Sequence, residues 1–237
     1  MSQRERKVVA GLPLMQVIDV VDYSPRVRCI RFSGECISTM KWSPGQKVKL
    51  GLEEARRSYT PSLVEPDAQL MDIVFFLHGN GLFSRWAASV DVGDVVGVIG
   101  PVNSMPEKRT LPQWAFFMGD ETTIGLAQAL LNDLSDDISI SGAIEVDMVD
   151  HMSVSAARLP LQSAIRNGEH GVALRRWLSR SELPEGPGIV WLSGDAGTVR
   201  DLKRDLLRMG LERSQIRLKP YWSVKGHGHR KVIQKEL

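Results

Sequence analysis

The sequence predicts a two-domain α+β protein, an N-terminal antiparallel β-barrel followed by a C-terminal α/β domain built on a parallel sheet. Three observations predict it. The chain has 237 residues, more than one average domain and barely two. Short apolar runs broken by turn residues fill the segment from residue 14 to about 100. Beyond a linker at residues 105–109 the rhythm changes to strand, Gly-acid loop and helix, twice over. The expected boundaries are 1–108 for the barrel and 109–237 for the α/β domain.

In the first half the expected strands are 17–21, 27–32, 47–52, 71–77 and 95–99. Val48, Leu50 and Leu52 alternate with Lys47, Lys49 and Gly51, a period of two that turns one face inward. Met71, Ile73, Phe75 and Leu77 repeat it. Pro44-Gly45 and the turn Asp91-Val92-Gly93-Asp94 punctuate these runs, which favours antiparallel pairing.

In the second half, the apolar run 114–118 ends at Gly119-Asp120-Glu121-Thr122. A helix follows with Ile124, Ala127, Leu131 and Leu134 on one face. Strand-like residues return at 138–146. The run 189–192 then enters Ser193-Gly194-Asp195-Ala196-Gly197, ahead of a helix carrying Val199, Leu202 and Leu206. Ligands of parallel α/β sheets bind beyond the carboxyl ends of the strands, where both loops fall. Residues 150–186 carry no assignable pattern.

Composition excludes several classes. Hydrophobic residues make up 43% and charged residues 24%, against a collagen-like, coiled-coil or disordered chain. The net charge of +2 offers no nucleic-acid footprint. The apolar runs 95–99 and 114–118 are too short to span a bilayer, and the polar start lacks a secretory core, so a cytoplasmic protein is expected. Cys29 and Cys36 form no CxxC, so free buried thiols are expected.

Two segments carry binding chemistry. Arg57-Ser58-Tyr59-Thr60 follows a strand and groups a fixed cation, an aromatic plate and a hydroxyl. Arg forks onto phosphate, Tyr packs beside a flat ring, and Thr bonds its edge, so the set suits a phosphorylated aromatic cofactor. A surface loop whose Tyr caps the barrel is the alternative. In the second, Gly79 and Gly81 of the stretch from His78 to Ala87 let backbone amides approach a pyrophosphate, with Ser84 adding a hydroxyl or merely capping a helix. Neither GxGxxG nor GxxxxGK[ST] occurs. A nicotinamide nucleotide therefore requires Gly119 to Thr123 and Gly194 to Gly197, unless these residues simply cap helices.

Several pieces together resemble the siderophore-interacting protein family of FAD-dependent ferric-siderophore reductases, within the ferredoxin-reductase-like flavoproteins. They are Pro44 to Leu50, Arg57 to Thr60, His78-Gly79 through Ser84-Arg85-Trp86, Gly93-Asp94, Gly100-Pro101, Gly119 to Thr122, Trp191 to Asp195, and Tyr221-Trp222. The resemblance implies FAD between a flavin-binding barrel and an NAD(P)H-binding-like domain. It places Arg57 on the FAD phosphates, Tyr59 along the isoalloxazine or ribityl, Thr60 near N5 with Ser58 beside it, and His78 by the flavin. Gly79, Gly81 and Ser84 would hold the pyrophosphate. Asp120, Glu121, Thr122, Gly194 and Asp195 fall where the family places its reduced nicotinamide.

The chain departs from that pattern at Ser62, where the family usually has Arg, and at Gly81-Leu82-Phe83-Ser84, where Gly-Pro-Ala-Ser is common. Thr123 and Gly125 replace an Ala and a Pro, and no Trp occurs at 160–165. Ferredoxin is therefore the alternative electron donor. Lys219, Lys225, His227, His229, Arg230 and Lys231 form a basic cluster, with Lys219, Lys225 and Arg230 expected to draw in an anionic ferric siderophore. His227-Gly228-His229 lacks a third ligand for a metal site. The expected activity is transfer of electrons from NAD(P)H or ferredoxin through flavin to chelated Fe(III), releasing Fe(II). A general flavin or ferredoxin reductase and a non-catalytic siderophore binder are the alternatives.

Overall fold

A computed structural model describes residues 11–223 apart from 54, 80 and 103–111. Contacts divide it into two compact units, one drawn from residues 1–105 with Ile124–Leu134, the other from residues 106–123 and 135–237.

Seven antiparallel strands form the first unit: β1 (Leu14–Ser24), β2 (Val27–Ser33), β3 (Lys47–Leu52), β4 (Ala55–Tyr59), β5 (Leu63–Glu65), β6 (Leu70–Phe76) and β7 (Val95–Val102). Their order is β4-β3-β7-β1-β2-β6-β5. The alternation read from the sequence builds its core. Met15 and Val17, Ile30 and Phe32, Val48 and Leu50, Met71, Ile73 and Phe75, and Val96 and Val98 all point into one buried cluster. Helix α1 (Leu82–Ala88) closes it with Phe83, Trp86 and Ala87.

Helix α2 (Ile124–Leu131) also belongs to this unit, although it follows a strand of the other. Gln128 donates its amide to Tyr23 Oη at 3.3 Å, and Gly125 faces Val74 of β6 closely enough that a methyl there would lie 3.3 Å from the Val74 Cβ. Nearly every residue of α2 is buried, so the one-faced pattern anticipated for it understates its burial.

The second unit is a five-stranded parallel sheet of β8 (Trp114–Asp120), β9 (Ser139–Val146), β10 (Gln162–Ile165), β11 (Gly188–Asp195) and β12 (Ile216–Trp222), in the order β10-β9-β8-β11-β12. Residues 150–186 supply α3 (Ser153–Ala156), β10 and α4 (Val172–Leu178). The four-residue edge strand β10 is too short to show a period. Helix α5 (Ala196–Arg208) lays Val199, Leu202 and Leu206 on a core shared with Trp114, Phe116, Met118, Leu174, Leu178, Val190 and Leu192.

Cys29 is buried, Cys36 half-buried, and both are free. No helix among the described residues is long and apolar enough to cross a membrane.

Candidate functional sites in the two units

Arg57, Ser58 and Tyr59 lie on β4 itself rather than in a loop after a strand, and pair with β3 at Leu50, Lys49 and Val48. Thr60 follows, buried. The Tyr59 ring sits 4.6 Å from that of Phe75 and 6.0 Å from that of Phe83, so it caps the barrel core. Burial raises its phenol pKa, with Arg57 opposing, and it stays neutral. The Ser58 Oγ is buried and has no hydrogen-bond partner among the described residues. A hydroxyl in that state costs about 1–3 kcal/mol unless something bonds it.

The glycine segment meets this strand in two places. The Tyr59–Phe83 ring contact joins β4 to α1, and the Arg57 cation acts on His78. Burial first, then Arg57, lowers the His78 pKa, which keeps the imidazole neutral near pH 7. Gly79 and Gly81 have φ of 78° and 86°, a region that side chains disfavour, and a Cβ at either would meet nothing within 4 Å. Ser84 is buried, and its Oγ accepts the Gly79 N–H at 3.1 Å, fastening the loop to α1. The N-cap is Gly81, so Ser84 is not the capping residue.

These residues fit a phosphorylated planar cofactor such as FAD. They provide an exposed guanidinium on β4, an orphaned hydroxyl beside it and an open backbone cradle at Gly79 and Gly81.

In the second unit the two Gly-acid segments stand at the carboxyl ends of neighbouring strands and lock together. Asp120 Oδ2 accepts the Asp195 N–H at 3.0 Å and the Trp222 indole N–H at 2.9 Å, while Oδ1 accepts the Thr122 amide and hydroxyl at 3.0 and 2.5 Å. Burial pushes Asp120 up to about 6, with Glu121 adding to the rise and the bonds from Thr122 and Trp222 opposing it. Gly194 has φ of 104°, and a Cβ there would overlap the Asp120 carboxylate. Asp195 caps α5, accepting the Thr198 N–H at 2.8 Å. The helix-capping alternative therefore describes Asp195.

Glu121 is 3% exposed and forms a two-oxygen pair with Arg166 at 2.6 and 2.7 Å. Arg166 reaches Asp147 at 2.8 Å and Glu145 at 3.5 Å. Glu145 in turn accepts the Gly171 and Ala173 N–H groups at the start of α4. Sequence reading missed Arg166 because it sits in the stretch with no recognisable period, and Glu145 because the strand pattern at 138–146 gives its side chain no partner. Glu121, Asp147 and Asp150 bring one oxygen each within 4.8 Å of one another, a possible metal set, but Arg166 already bonds the first two. Of the expected nucleotide residues, Thr122 alone leaves a partly exposed side chain, while the three carboxylates are buried and bonded within the unit.

Lys219, expected in the basic C-terminal cluster, lies on β12 and is 6% exposed. Its carbonyl accepts the Ser193 hydroxyl, and its Nζ sits 5.8 Å from the centre of the Tyr221 ring. Its burial on β12 removes it from the surface cluster. Lys225, His227, His229, Arg230 and Lys231 lie outside the described residues.

An antiparallel barrel-type unit with a glycine cradle, followed by a parallel sheet with acidic strand ends, defines the ferredoxin-reductase-like two-domain class. The FAD/NAD-binding domain of the nitric oxide dioxygenase from Vibrio cholerae shares it, with a TM-score of 0.72 at 16% identity, covering 89% of this chain and 98% of that one. Two family models match: "Siderophore-interacting FAD-binding domain" over residues 52–105 and "Siderophore-interacting protein" over residues 112–225. The chain belongs to the siderophore-interacting protein family. A siderophore utilization protein from T. fusca has a TM-score of 0.75 at 25% identity, covering 96% of this chain and 98% of that one. An "NADPH-dependent ferric-chelate reductase" of Escherichia coli K12 is 25% identical over 180 residues, 71% of this chain. The match spans 66% of that reductase's length.

Proposed function

We propose that this protein is an FAD-dependent ferric-chelate reductase that draws electrons from a reduced nicotinamide nucleotide and passes them to Fe(III) held in a siderophore. The observation that carries the reading is the unpartnered Ser58 hydroxyl on β4, flanked by Arg57 and Tyr59 and joined to the glycine cradle through Phe83 and His78. FAD, when bound, supplies the electron transfer, taking a pair from the nucleotide and releasing single electrons to the iron.

The chain's own residues bind and orient. Arg57 neutralises phosphate charge, Ser58 and Thr60 bond the ring edge, and Tyr59 supports its face from the barrel core. Gly79 and Gly81 admit the pyrophosphate to backbone amides, and Ser84 holds that loop in place. His78, neutral near pH 7, adds no charge beside the ring. Residues 1–108 are assigned the flavin and residues 109–237 the nucleotide. There Thr122 offers the side-chain contact, while Asp120, Glu121, Gly194 and Asp195 shape the strand ends. Lys225 and Arg230, within the basic tail, attract the anionic chelate. The E. coli relative's name favours NADPH as donor, and ferredoxin is the second donor to test.

The test is the visible spectrum of the purified protein, taken before and after anaerobic NADPH, NADH and reduced ferredoxin, with a ferric siderophore added last. A yellow protein bleached by one donor and recoloured by the iron complex supports the reading and identifies the donor. A colourless protein that takes up no added FAD overturns it and leaves a siderophore binder. A flavin that reduces but is not reoxidised by the iron complex leaves a general flavin reductase.

A further inference from the structure

One face of the parallel sheet carries an open cavity of about 560 Å³ beside α4, lined by residues of β8, β9, β10, α4 and the turn after it. It arises where small side chains face each other. Ser141, Ala164 and Ala173 line it, and none fills the space that Leu174 and Leu178 fill elsewhere along α4. Phe116 and Ser141 are paired third residues of β8 and β9, while Ala164 and Ile165 of β10 stand level with Glu145 and Val146, so the cavity runs from the amino halves of β8 and β9 to the carboxyl end of β10. Phe116 precedes Asp120 by four residues, about 13 Å along the strand.

Its chemistry is uneven. One wall is aromatic, with the rings of Phe116 and Trp177 meeting edge to face at 5.8 Å. The Trp177 indole N–H donates to Gln162 Oε1 at 3.0 Å, which fixes the indole and leaves the Gln162 amide N–H groups as donors. Arg176, in the last turn of α4, and Arg180, in the turn that follows the helix, also line the cavity, and both are exposed. Among the described residues neither has an ion pair or a side-chain hydrogen bond. Their neighbour Arg175 holds Asp205 at 2.7 Å, and Arg166 holds three acids. Glu182 is the one acid on the lining and pairs with neither arginine.

We propose that this cavity binds a small aromatic carboxylate, its carboxylate gripped by Arg176 and Arg180 and its ring laid against Trp177 and Phe116. A guanidinium matches the planar, two-oxygen geometry of a carboxylate. An apolar wall with a few convergent polar groups is the usual make-up of a small-molecule pocket, and a volume of about 560 Å³ falls within the usual range for such pockets. A bare phosphate would satisfy the arginines and leave the aromatic wall wet. This site stands independently of the reductase reading.

The test uses the full-length, FAD-loaded, ¹⁵N-labelled protein and follows the Trp177 indole N–H resonance, assigned by its loss in Trp177→Phe. Benzoate is titrated to about 10 mM, a range that detects millimolar affinity. Benzamide and inorganic phosphate are titrated in parallel. Saturable movement with benzoate alone is expected, weakened about tenfold or more in Arg176→Gln/Arg180→Gln, whose charge-assisted bonds are gone. That variant keeps its flavin spectrum and chelate-reducing rate. Four results would each overturn the proposal: no saturable movement, equal movement with benzamide, equal movement with phosphate, or undiminished binding in the double variant. The first would mean an empty cavity, the second an apolar slot and the third a plain oxyanion patch.

Discussion

The Trp222 indole N–H donates to Asp120 Oδ2 at 2.9 Å, tying β12 to β8 across the intervening β11. The same oxygen takes the Asp195 amide, so one buried carboxylate fastens the carboxyl ends of three strands. Trp222 also packs edge-on to His170, at 4.9 Å between ring centres, and thereby reaches the segment before α4.

That arrangement makes stability depend on acidity. Burial lifts Asp120 from 3.8 to about 6, so the folded state holds its proton more tightly than the unfolded state. The stability this contributes is complete below pH 4 and is lost as pH rises from about 4 to about 6, a difference of about 3 kcal/mol. Asp120→Asn removes this component. The difference between the urea profiles of the variant and the parent should change through that window and flatten above it. The Trp222 indole resonance should titrate with a midpoint near 6. An indole signal unmoved between pH 5 and pH 7 would contradict the assignment.

Gly194 is the second constraint at this junction. Its φ of 104° is unfavourable for a side chain, and a methyl would enter the space of the Asp120 carboxylate. Gly194→Ala is expected to cost about 2–4 kcal/mol, from backbone strain and displacement of a buried charge together. Chemical denaturation measures it, and the same variant should shift the Trp222 indole signal. A loss under about 0.5 kcal/mol would show that the strand end relaxes freely.

For the flavin assignment, Ser58→Ala gives opposite signs in two states. Without cofactor, removing a buried unpartnered hydroxyl should leave the protein as stable or about 1 kcal/mol more stable. With FAD, the lost bond should weaken binding about five- to tenfold. Arg57→Ala, at an exposed position, should leave apo stability within about 0.5 kcal/mol and reduce flavin content on purification. Equal FAD affinity in both variants and the parent would remove β4 from the site.

Much of the fold was legible because the first unit's core is written in a period of two, as at Val48, Leu50 and Leu52. The strand β11 and the capped helix α5 were legible for a similar reason, since Val199, Leu202 and Leu206 repeat at helical spacing. What escaped notice was set by distance. Nothing near residue 166 in the chain says that Arg166 will meet Glu121, 45 residues away. Nor does the text around Asp120 reveal that its carboxylate is turned inward. Local sequence gives residue type but not the direction a side chain faces, so it points to the acids at the strand ends as ligand contacts and is silent on their burial. The motif Arg57 to Thr60 was legible as chemistry, although its place on β4 was not.

The buried charge network around Arg166 yields the last prediction. Arg166 bonds Glu121, Glu145 and Asp147, and the first two are almost fully buried. Arg166→Met keeps most of the volume and removes the charge, leaving two buried carboxylates to repel each other. Breaking such a pair from one side costs about 3–5 kcal/mol at neutral pH. Arg166→Met/Glu121→Gln should recover more than half of the loss, because neutralising one acid removes the main repulsion. Urea midpoints of the parent, both single variants and the double variant complete the cycle. Strict additivity would mean that Arg166 acts through packing alone, since its stem is itself half-buried and its loss could be felt without any electrostatic part.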